Sequence, residues 1–214
     1  MNNKLGFYSA ILVGVTTLVF AISILLGNSW ISYFISMILS RGYVLLTCSF
    51  CTRTENDRKS VSLGGVAFAV IYAAIIDVVY FTQLSTVANK TASESALRVL
   101  SYSNIGSLFF NLELLGYGIM SLSTFLIGIA MIPKNKADKW LKALLMIHGI
   151  FLISSIALPI LNVFKDGSKS STIIVSLVLL FWCIYFISIS ILSAIHFRLE
   201  LKKIENIQIV SIMT

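Results

Sequence analysis

The stretch WISYFISMILSRGYVLLTCSF, residues 30–50, decides how many times this chain crosses a membrane. It is long enough to span, because a crossing takes about 20 mostly apolar residues. Yet Arg41 stands at its middle. Ile31, Phe34, Ile35, Ile38, Leu39, Val44, Leu45, Leu46 and Phe50 favour insertion by about 0.3–0.6 kcal/mol each. A central arginine opposes it by about 2.5–3.5 kcal/mol. The two contributions nearly cancel, so this segment needs its neighbours in order to insert. Trp30 at one end suits the boundary between lipid and water, and Trp140 does the same in a later segment.

Outward from it, five further segments are long and apolar without such a conflict: 5–27, 61–83, 105–132, 140–164 and 172–197. The reading is an all-α, polytopic transmembrane helical bundle of six spans, or of five if 30–50 stays outside. All of 1–214 forms a single integral membrane domain. The first apolar run exceeds the 7–15 residues or so of a signal-peptide core, which makes it a retained anchor. Pro133 is expected to end the fourth span and Pro159 to kink the fifth. Gly64 and Gly65 are expected to loosen the start of the third.

Composition agrees. Apolar residues make up 57% of the 214 and charged residues 12%, with a mean hydropathy of +0.93. So few charges cannot clothe a soluble domain of this size, where roughly 25% is usual. Three cysteines do not make a disulfide scaffold. The net charge of +7 does not point to nucleic acid, because no basic stretch interleaves with aromatics. It belongs to the short connections and sets orientation. With six spans, one side holds Lys4, Arg53, Arg58, Lys59, Lys134, Lys136, Lys139, Lys142, Arg198, Lys202 and Lys203, and the other only Lys90, Arg98, Lys165 and Lys169. The richer side is expected to be cytoplasmic. With five spans Lys4 changes side and Arg41 joins the inner loop, so the charge rule does not choose between the counts. In both, the C-terminus is cytoplasmic, and the N-terminus is too if there are six spans. The sequence Thr91-Ala-Ser-Glu94 reads as a capping box opening a short interfacial helix at about 91–104 on the outer face. The tail, 198–214, is expected to prolong the last helix into the cytoplasm.

Ionisable groups inside spans are functional candidates by default. At about 1.5 Å per residue, Arg41 lies about 16 Å below the outer boundary, Asp77 about 9–10 Å and Glu113 about 12–13 Å. Arg41, Asp77 and Glu113 are therefore expected to form one intramembrane charge cluster, with Tyr80 and Tyr117 one turn away as supporting donors. Two carboxylates beside one arginine in low dielectric could exchange a proton; the same cluster could equally serve as a structural lock between three helices. His148 lies in the other half of its span among leucines, as a supporting polar group. No second histidine stands at a ligand spacing, so neither a metal nor a cofactor is expected. Cys48-x-x-Cys51 lacks a thioredoxin-like context and reads as two small residues on one helix. Gly6, Ala10 and Gly14 form a small-residue stripe suited to close helix packing, within the chain, with a second copy or with another membrane protein.

The run Gly116-Tyr-Gly-Ile-Met-Ser-Leu-Ser-Thr-Phe-Leu-Ile-Gly128, continuing to Lys139-Trp-Leu-Lys142 and His148-Gly149, resembles small uncharacterised multi-spanning membrane proteins of Gram-positive bacteria. The resemblance implies a bacterial cell membrane and, since those proteins carry no assigned activity, no particular chemistry. Three functions remain open. The first is a non-enzymatic accessory, immunity or sensing component acting through helix–helix contacts in the lipid bilayer. The second is a small proton- or ion-coupled transporter using the Arg41, Asp77 and Glu113 cluster. The third, which needs His148 beside a carboxylate, is an intramembrane enzyme.

Overall fold

The computed structural model describes residues 1–163 and 169–213. Among them there are helices and no strand: α1 (Asn2–Leu25), α2 (Ser29–Cys51), α3 (Lys59–Thr82), α4 (Glu94–Leu100), α5 (Leu108–Ala130), α6 (Lys136–His148), α7 (Ile150–Ile160) and α8 (Lys169–Met213). Six helical stretches are long and apolar enough to cross a membrane, with α6 and α7 together making the fifth. The protein is a polytopic helical bundle.

Local sequence starts the helices. Asn28 accepts from the Ile31 amide (3.1 Å), Ser107 from that of Phe110 (3.2 Å) and Asn135 from that of Asp138 (2.9 Å), each filling an orphan donor of a first turn. Gly27, at φ 65°, makes the tight turn between α1 and α2. The capping box does not form where the sequence suggested. Ser93, not Thr91, caps α4, and Glu94 is its first residue.

The spans close into a ring. The helix α1 packs on α8 and α2, α2 on α3, α3 on α5, α5 on both α6 and α7, and α6 on α8. The weakly apolar α2 is the most enclosed span, 56% buried over its apolar window against 17% for Lys136–Ile160. This resolves its marginal insertion energy. Its serines return their hydroxyls to carbonyls on their own helix, as Ser36 does to Ser32 and Ser49 to Leu45 (both 2.8 Å). Ser32 shares a hydrogen bond with Ser23 of α1 at 2.7 Å. Polar atoms that would be costly in lipid are thus satisfied within protein.

Three glycine and proline expectations change. The fifth span breaks at Gly149, and Pro159 sits in the last turn of α7. A Cβ on Gly149 would lie 2.9 Å from the Phe125 ring, so the break coincides with a close approach to α5. Gly65 is a packing position and not a loose entry: a Cβ there would lie 2.9 Å from Ile127, and its carbonyl accepts from Ser123 at 2.6 Å. The helix α5 ends at Ala130, ahead of Pro133. The stripe Gly6, Ala10 and Gly14 faces α8, with Gly6 against the Phe197 ring and Gly14 against Ser190. Helix α8 continues through the basic end to Met213. The expected end of the fifth span at 164 and Lys165 lie outside the described residues, as do the side chains beyond Lys203.

Candidate functional site

The expected cluster comes apart into two sites. Arg41 and Asp77 pair as a fork, Nη2 to Oδ2 at 3.0 Å and Nη1 to Oδ1 at 3.2 Å. Ser40 adds a bond to Asp77 at 3.3 Å, and Arg41 also donates to the Met37 carbonyl one turn back. Both side chains stay partly exposed, 56% for Arg41 and 32% for Asp77. The pair therefore lies on the outside of the α2–α3 seam.

Glu113 faces inward and is 2% exposed. Among the described residues no ion pair or hydrogen bond joins it to Arg41 or Asp77. Tyr80 of α3 donates to its Oε1, and the Tyr102 hydroxyl also reaches its carboxylate. Tyr33 of α2 stacks on Tyr80 with ring centres 5.3 Å apart and meets Tyr102 edge-on at 5.9 Å. Tyr117, one turn along α5, packs edge-on against Trp182 at 4.9 Å. The close α3–α5 approach that aligns Tyr80 with Glu113 comes from Gly116, where a Cβ would lie 3.3 Å from Ile75 and Ile76.

Tyr102 enters from the loop before α5, and Gln83 holds it there. The helix α3 runs on as a π-turn, Gln83–Val87, which points the Gln83 side chain under the loop. Its Oε1 accepts from the Tyr102 amide (2.9 Å) and its Nε2 donates to the Leu100 carbonyl (2.8 Å). Ser107 pins the other side through the Ser101 carbonyl (2.9 Å). Gly106 precedes α5 and turns this loop at φ 85°. Sequence reading missed Tyr33, Gln83 and Tyr102. Only the loop tyrosine beside a capping serine hinted at them.

These groups wall a cavity of about 300 Å³ at the end of the bundle away from Lys4 and Arg198. Ser23, Ser29, Ser32, Ser103 and Ser176 add hydroxyls, and among the described residues Glu113 is the one carboxylate in its lining. The opposite, basic end is closed. Glu200 of α8 binds Arg53 (3.2 Å), Lys134 (3.4 Å) and Lys203 (3.0 Å), and His196 binds Asp138 at 2.8 Å. Phe50 packs on Phe197 at 4.9 Å beside them. A pocket of about 90 Å³ lies there, and a void of about 10 Å³ lined by Tyr43, Thr47, Thr124 and Ser193 lies between the two ends.

His148 belongs to neither site. It is fully buried, with Nε2 accepting from the Trp182 indole at 3.1 Å. That donor places the imidazole proton on Nδ1, which donates to Thr124 Oγ1 at 2.8 Å, and Thr124 passes its own proton to the Ser121 carbonyl. Both nitrogens are thus engaged without a carboxylate. Among the described residues no three His, Cys, Asp or Glu side chains converge to hold a metal. Compared with protein-family models, curated proteins and solved structures, the chain matches none of them.

Proposed function

We propose that the protein is a small carrier of a bacterial cell membrane that captures a solute at Glu113 from the outside. The observation that supports this most is the asymmetry of the bundle: a polar cavity of about 300 Å³ at one end and a tied-off end opposite. The basic residues gathered at the closed end favour the cytoplasmic side for it. A captured solute would lie above the Tyr117–Trp182 contact. Passage inward would require the Glu200 ion pairs to part, a rearrangement of the kind that alternates access around a fixed site. The carboxylate of this carrier is Glu113, and the Arg41–Asp77 pair stabilises the α2–α3 seam. Helix–helix contact with a partner would use a face other than the Gly6, Ala10 and Gly14 stripe, which α8 covers.

A sensing role is the second reading. Gln83 ties the cavity to the loop around Tyr102, so occupancy of the site would be felt outside.

Reciprocal access separates the two. In a background without Cys48, Cys51 and Cys183, single cysteines at Ser176 and at Ser193 are probed with an impermeant maleimide in sealed vesicles of each orientation. A carrier predicts that Glu200→Ala raises labelling of the Ser193 position from the basic side and lowers labelling of the Ser176 position from the other. Labelling unchanged at both positions contradicts the carrier and leaves the sensor.

A further inference from the structure

We infer that the cavity around Glu113 takes a small organic cation, a primary to quaternary ammonium. The inference rests on the cavity being a ligand site and names its ligand.

Charge is the first reason. Glu113 receives two tyrosine hydroxyls, and among the described residues no cation pairs with it and no basic side chain lines the cavity. A buried carboxylate without a counter-charge is costly and is completed by a proton or by a cation from solution. The same lining offers nothing to a phosphate or carboxylate ligand.

The walls are the second reason. Phe20, Tyr33, Tyr80, Tyr102 and Phe110 give the cavity an aromatic lining around that one carboxylate. Aromatic rings attract cations through their quadrupole, most effectively the alkylated ammonium groups that water holds weakly. Divalent metals want several oxygen ligands with more than one charge among them, which a lone glutamate does not supply. The serine hydroxyls suit the N–H or O–H groups of a ligand that carries any.

Size is the third. About 300 Å³ is at the low end for ligand pockets, so the cation is a compact one. An ammonium can arrive as a free solute or as the headgroup of a lipid whose tails lie beside α8, since Ser176 and Leu179 of that helix form one wall.

The test uses the full chain in nanodiscs and reads thermal unfolding. In phosphatidylglycerol discs, tetramethylammonium, choline and ethylammonium should each raise the Tm with concentration. The neutral compounds tert-butanol and ethanol, and sodium chloride at equal strength, should not. Glu113→Gln should weaken the response at least roughly tenfold, as loss of a desolvated charge partner does. Ser176→Trp, which fills the cavity and spares the carboxylate, should abolish it. If discs containing phosphatidylethanolamine stabilise the parent but not Glu113→Gln, and soluble ammonium then adds nothing, the cation is a lipid headgroup and the class stands. Equal stabilisation by the neutral compounds, an undiminished response in Glu113→Gln, or no response to ammonium in either lipid overturns the inference. The comparison between cations and neutral compounds needs no variant to fold. A chain that switches access when Glu200 is removed yet ignores every ammonium would keep the carrier reading and lose this one.

Discussion

The two acidic residues of the spans are treated in opposite ways. Asp77 sits at the rim of α3 and meets Arg41 in a two-bond fork, so its charge is cancelled by the protein itself. Glu113 sits inside, given hydroxyl donors by Tyr80 and Tyr102 but, among the described residues, no charge partner. A cancelled pair on the outside of a helix seam has no free charge left for a ligand. A carboxylate with donors and no cation, beside a cavity, does. Ionisable residues in spans are marked as functional without distinction by their cost alone; what separates these two is which way each points around its helix.

The comparison breaks first at Asp77. Asp77→Asn leaves Arg41 unpaired near mid-membrane, and the expected cost is that of a central arginine, about 2.5–3.5 kcal/mol. Fluorescence size-exclusion in detergent should show loss of the monodisperse peak. Combining it with Arg41→Met should restore the peak, because the stranded charge is gone. Recovery failing in the double variant would mean that the pair does more than cancel itself.

A smaller effect is expected on the enclosed side. Gln83→Ala removes the side chain that holds the Tyr102 amide and the Leu100 carbonyl, at about 1–3 kcal/mol of local stability for groups left without partners. Limited proteolysis should then cut within 100–107 faster while the bundle remains folded. Unchanged cleavage would show that the loop is held by other contacts, and the tyrosine lining would no longer depend on Gln83.

The architecture was largely legible in the sequence. Apolar length located the six helices, and the insertion balance of 30–50 correctly demanded neighbours, which α1 and α3 provide. Rotation about the helix was not legible. Asp77 and Glu113 both have small residues one turn away, and that pattern does not say which of them faces a ring interior six helices across. The break at Gly149 was hidden for a similar reason. Proline carries its constraint in its own covalent structure, whereas the close packing at Gly149 involves Phe125 on another helix. Tyr102 came from a loop whose path depends on the π-turn at Gln83, a local departure that no periodicity announces.

The most direct test of the separation between the two sites is a pair of double-mutant cycles measured by unfolding in detergent. One combines Arg41→Met with Asp77→Asn, the other Arg41→Met with Glu113→Gln. The fork predicts a coupling of about 0.5–3 kcal/mol in the first, the range for residues in direct contact, and additivity within about 0.5 kcal/mol in the second. Coupling of Glu113 to Arg41 as strong as that of Asp77 would contradict the account and reunite the three residues in one charge cluster.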